Sequence, residues 1–212
     1  MVAGVCAVLV LVPWGLPRPR GFADAPARVL TLLGLVAFAW VMAPGLRFRV
    51  RVKREVKSQL LTGFAGIGLG ALLFWGASYL DHRDGADALQ VDAAVARWIG
   101  VGLCALGFGA QAWAVVTLGR FYSQRVAILE NHQLVDSGPY RLVRHPAYTG
   151  LVCWVAGFPL AFGFWIGLVI AAAMLPSLLR RIRLEEGLLE AEFGGRYDAV
   201  RSRTGRLVPK VF

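Results

Sequence analysis

Between Leu118 and Leu151 the chain reads LGRFYSQRVAILENHQLVDSGPYRLVRHPAYTGL, with polar, aromatic and basic side chains crowded where a plain connection would need few residues. Asp136-Ser137-Gly138-Pro139 is a turn signal. Arg144-His145-Pro146 then opens a helix, with Pro146 suited to its first position. A helix start offers free N–H groups and partial positive charge, which suits a carboxylate or another electron-rich group. From there the i, i+3, i+4 rule sets His145, Tyr148 and Thr149 on one face. A second constellation follows: Arg180, Arg181, Arg183, Glu185, Glu186, Glu190 and Glu192, then Phe193-Gly194 and Tyr197. Arg181 and Glu185, four apart, share a face. Taken singly, His145 reads as a helix-end residue, Tyr140 and Tyr148 as interfacial aromatics, and the arginines as headgroup anchors. That account leaves the acid pair Glu185-Glu186, set beside an anionic lipid surface, unexplained.

These residues need elements to hold them, and composition says which. Of 212 residues 57% are apolar and only 17% charged, and the mean hydropathy is +0.58. Soluble domains carry about a quarter charged residues, so disorder and a soluble globule are both excluded. The expected fold is all-α, a multi-pass transmembrane bundle. A span takes about 20 apolar residues. Candidates are Val2 to Leu16, Ala27 to Leu46, Leu60 to Leu80 and Val95 to Leu118. A fifth apolar region, Ala147 to Leu179, is too long for one crossing and reads as a helical hairpin broken around Gly157, Pro159 and Gly163. Gly63, Gly66 and Gly70 form a small-residue packing stripe.

The net charge of +10 sits between the apolar runs, with no nucleic-acid motif beside it. It therefore speaks of topology and of anionic headgroups. The basic stretch Arg47 to Lys57 marks one side as cytoplasmic, and the aspartate-rich Asp81 to Ala94 marks the other as external. Gly119 to Arg144 and the tail from Arg180 then face the cytoplasm. Cys6, Cys104 and Cys153 are widely spaced and give neither a disulfide framework nor a metal site. Arginine supplies 20 of the 23 cations, a bias that suggests a bacterial source and hence its cytoplasmic membrane.

His132-Gln133-Leu134-Val135, Ser137-Gly138-Pro139-Tyr140 and Arg144-His145-Pro146-Ala147-Tyr148-Thr149-Gly150 resemble, in order and spacing, the isoprenylcysteine carboxyl methyltransferase family. Arg181, Glu185-Glu186, Phe193-Gly194 and Tyr197 continue the resemblance, which covers residues 118–208. It implies transfer of a methyl group from S-adenosylmethionine to a lipophilic acceptor at the cytoplasmic membrane face. It divides the chain into N-terminal transmembrane helices (1–118) and a C-terminal cofactor-binding catalytic region (119–212). The implied cofactor contacts are Arg125 (or Gln124), His132, Gln133, Leu134, Val135, Tyr140, His145, Pro146, Ala147, Tyr148 and Glu185. Arg181 is the implied substrate-orienting residue. Name-giving members methylate prenylated C-terminal cysteines of eukaryotic proteins; a bacterial chain would act on another lipophilic acceptor, and Arg-Leu-Glu-Glu-Gly departs from the longer acidic run of eukaryotic members. A phospholipid or small-amine N-methyltransferase, an NADPH-dependent membrane reductase and a non-enzymatic lipid-binding protein remain as alternatives.

Overall fold

A computed structural model of the chain describes residues 51–55, 94–123, 126–162 and 165–209. The first three candidate spans, the Gly63–Gly70 stripe, Cys6 and the aspartate-rich loop lie outside the described residues. Among the described residues four helices dominate: α1 (Ala94–Leu118), α2 (Pro146–Phe162), α3 (Trp165–Phe193) and α4 (Gly195–Arg203). The fourth candidate span is thus a helix within one residue of its expected bounds. With the turn that ends it, α1 covers Ala94–Phe121, the one stretch among the described residues long and apolar enough to cross a membrane. Val95, Trp98, Ile99, Leu106, Trp113 and Val116 are exposed along it, an apolar face that suits hydrocarbon better than water.

Glycine brings α1 and α2 together. An added Cβ at Gly107 would stand 2.5 Å from the Gly150 carbonyl oxygen, and one at Gly157 would stand 2.6 Å from that of Gly100. The helices therefore run antiparallel with their backbones touching, and the glycines recur every seven residues on each. Val101, Cys104 and Ala161 fill the seam between them, flanked by Phe108, Trp154, Phe158 and Phe162. Arg97 Nε donates to the Ala161 carbonyl at 3.2 Å and secures the far end.

The helix break falls later than the sequence pattern suggests. Gly157 and Pro159 lie inside α2, which ends at Phe162, and α3 begins at Trp165. Pro159 stands in the last turn of α2, where its missing N–H forfeits only the bond to the Val155 carbonyl. α3 is apolar to Leu179 and charged from Arg180 onward. It ends where Gly194 adopts a positive φ of 51° and its N–H caps the Glu190 carbonyl.

One departure from an all-helical chain is a two-stranded antiparallel ribbon, β1 (Val52–Glu55) with β2 (Ala127–Leu129). The alternation Val50-Arg51-Val52 carries the period-two pattern of a strand, which the density of positive charge obscures. Lys53 Nζ reaches Glu192 Oε1 at 2.6 Å, tying the ribbon to the end of α3.

Candidate active site

The segment entering α2 is built to hold one imidazole. Gly138, at φ 56°, lets the turn Gly138–Arg141 press against the end of α1, where an added Cβ would meet Thr117 Oγ1 at 3.0 Å. Pro146 is the first residue of α2, as the sequence implies. The His145 carbonyl accepts the N–H groups of Tyr148 and Thr149, both at 3.0 Å, closing the first turn. The tail beyond α4 then lies alongside. Arg144 N–H donates to the Gly205 carbonyl at 2.9 Å, His145 N–H to that of Arg206 at 3.1 Å, and Thr149 Oγ1 to that of Leu207 at 2.7 Å. His145 is left only 4% exposed.

Tyr148 joins the two constellations. Its hydroxyl donates to Glu185 Oε2 at 2.7 Å and accepts from Arg181 Nε at 2.8 Å. Arg181 also lies over the Tyr148 ring, 5.8 Å from its centre. His145 Nδ1 stands 3.9 Å from Glu185 Oε1, and its ring centre is 5.7 Å from that of Tyr148. The expected common face of Arg181 and Glu185 is therefore real, and one phenol oxygen connects its two members.

Three aromatic groups from the loop lie within electrostatic reach of Glu185. Burial raises the Tyr140 phenol, and the Glu185 carboxylate with the phenols of Tyr122 and Tyr148 adds to the rise. Burial likewise raises Tyr122, opposed by Arg181 and reinforced by Glu185. Both phenols stay protonated at neutral pH and remain hydrogen-bond donors. Burial lowers His132, against the pull of Glu185 and Glu192, which favours the neutral ring. Its Nδ1 accepts from Leu129 N–H at 3.4 Å, assigning the ring proton to Nε2. Phe121 stacks on this ring at 5.2 Å and Phe193 meets its edge at 5.8 Å.

The structure thus brings His132, Tyr140, His145, Tyr148, Arg181 and Glu185 into one cluster. Pro146 is buried and Ala147 half-buried beside it at the start of α2. Gln133, Leu134 and Val135 follow His132 in an irregular run, Gln133 exposed and the other two half-buried. Arg125 and its alternative Gln124 lie outside the described residues. Sequence reasoning missed Tyr122, whose signal was an aromatic pair, Phe121-Tyr122, at the exit of a span. It also missed Arg206, which the sequence shows only as one more cation of a basic tail.

Comparison with known proteins bears out the resemblance. Residues 100–191 match the model of the isoprenylcysteine carboxyl methyltransferase (ICMT) family. The chain is 31% identical over 114 residues to the protein-S-isoprenylcysteine O-methyltransferase of Schizosaccharomyces pombe, covering 52% of this chain and 48% of that protein. It is 31% identical over 120 residues to protein-S-isoprenylcysteine O-methyltransferase B of Arabidopsis thaliana, covering 54% and 61%. The chain thus spans about half the length of the curated relatives it matches. Its fold is that of a solved eukaryotic intramembrane Ras methyltransferase ICMT, with a TM-score of 0.65 at 20% identity over 99% of this chain and 74% of that one.

Proposed function

From the family match over residues 100–191 we propose that this chain is an S-adenosylmethionine-dependent integral membrane methyltransferase that esterifies a carboxylate on a lipophilic acceptor. The observation that carries this reading is the Tyr148 hydroxyl, hydrogen-bonded at once to Glu185 and Arg181. It places a group that suits the donor and a group that suits an acceptor one oxygen apart.

The residues present fit such a donor. S-adenosylmethionine, when bound, supplies an electrophilic methyl on a sulfonium. Tyr140 and Tyr148 offer aromatic faces, which attract a cation by about 0.5–2 kcal/mol. The Glu185 side chain is 34% exposed, open enough to bind an ammonium or ribose hydroxyls by charge-assisted hydrogen bonds. His132, with its proton on Nε2, and the run Gln133-Leu134-Val135 supply the remaining contacts, together with Arg125, His145, Pro146 and Ala147.

Arg181 receives the acceptor carboxylate through its planar guanidinium, which Tyr148 holds in place. An ionised carboxylate is already a nucleophile, so no general base is required, and the residues act by alignment. The apolar helices α2 and α3 form the hairpin that keeps water from the reacting atoms. Residues 1–118 form the membrane anchor and 119–212 the catalytic region, whose rim faces the cytoplasm. In a bacterial cell this rim lies on the inner membrane, and the acceptor is a lipid-borne acid.

Isothermal calorimetry of the detergent-solubilised chain with S-adenosylhomocysteine tests the proposal. Saturable heat at micromolar ligand is expected. Absence of heat at high micromolar concentration refutes it, and saturable heat with NADPH alone would point to a reductase instead.

A further inference from the structure

The second acid of the pair has a separate task. Glu186 is buried, its side chain 10% exposed, and accepts hydrogen bonds from two arginines. Oε1 takes Arg144 Nε at 3.0 Å and faces His145 Nε2 at 3.5 Å, out of hydrogen-bond alignment; Oε2 takes Arg206 Nη2 at 2.6 Å. Arg144 in turn donates to the carbonyls of Arg201 and Thr204, where α4 gives way to the tail. His145 is therefore flanked by consecutive acids, Glu185 Oε1 at 3.9 Å from Nδ1 and Glu186 Oε1 at 3.5 Å from Nε2, while the tail carbonyl of Arg206 holds its backbone. A buried carboxylate anchored by two arginines is held in place, so the imidazole beside it packs against a fixed negative charge.

We propose that Glu186 is a positioning residue for His145, and that Arg206 in the tail holds Glu186 to this task. The tail is then part of the site through Arg206. This rests on the reading of His145 as a contact for the methyl donor.

The test uses the full chain in detergent with 15N-labelled histidine. There are three histidines, so His82→Gln and His132→Gln variants assign the remaining ring signals to His145. In protein without ligand, Glu186→Gln and Arg206→Gln are expected to shift the His145 ring-nitrogen resonances. Both are expected to weaken S-adenosylhomocysteine binding by about tenfold, the loss that follows from one charge-assisted hydrogen bond. Arg206→Lys, which keeps the cation without the fork, should recover part of both. Arg203→Gln removes an exposed tail cation paired with Asp136 and should leave the ring signals unchanged. Ring-nitrogen signals in Arg206→Gln that match those of the unsubstituted protein overturn the inference, whatever happens to the melting temperature. If the unsubstituted chain takes up no S-adenosylhomocysteine, the proposed function fails while the ring signals still decide this point.

Discussion

At the residue scale, the proposed site assigns the consecutive acids different work, and each assignment has a measurable edge. Glu185 touches the solvent-facing side of the cluster and Arg181 the side proposed for the acceptor. Glu185→Ala is expected to weaken S-adenosylhomocysteine binding by about tenfold or more, whereas Arg181→Ala should leave that affinity within about twofold and mainly lower turnover. Calorimetry beside a methyl-transfer assay checks the contrast, and equal losses of affinity would contradict it. Glu186 makes a prediction about stability instead. Burial alone would raise its carboxyl, but the neighbouring His145 ring and the hydrogen bonds from Arg206 and Arg144 hold it far below its ordinary value of 4.5. A depressed folded-state value stabilises the fold above pH 4.5, and that stabilisation drains away as pH falls further. The melting-temperature gap between the unsubstituted chain and Glu186→Gln should thus be widest near neutrality and narrow steadily below pH 4.5. A gap independent of pH would show that the carboxylate does not act through its charge.

At the element scale, much was legible and some was not, for physical reasons. The bounds of α1 followed from the charge-poor run Val95 to Leu118, and the start of α2 from Pro146, because hydropathy and a missing N–H act locally. His145, Tyr148 and Arg181-Glu185 were legible as faces of helices, since spacing alone puts them there. The bridging by the Tyr148 hydroxyl was not, because it depends on how α2 and α3 approach each other. Nor was the tail's backbone pairing with Arg144 and His145, which no side-chain pattern announces. The glycines were half-read: the stripe at Gly63–Gly70 drew notice, while Gly100, Gly107, Gly150 and Gly157 meet only once the helices are laid antiparallel. Gly107→Val should therefore lower stability by about 1–3 kcal/mol or prevent folding, since its Cβ would press on the Gly150 carbonyl. Gly102→Val, with open space around its Cβ, should cost far less. Thermal unfolding of both in detergent gives the comparison.

At the scale of the whole molecule, the chain joins a greasy helical body to a polar rim, and the rim borrows from distant parts of the sequence: β1, the loop before α2, the end of α3 and the tail. The apolar face of α1 demands a hydrocarbon surrounding. After expression the chain should stay with the membrane pellet through alkaline carbonate washing and leave it only in detergent; release by carbonate alone would refute an integral anchor. The backbone contact between α1 and α2 also bears on traffic. Where two helices meet carbonyl to glycine, no hydrocarbon tail has room to slip through, so that seam is a wall. Any greasy guest arriving sideways from the bilayer would be turned away at this seam.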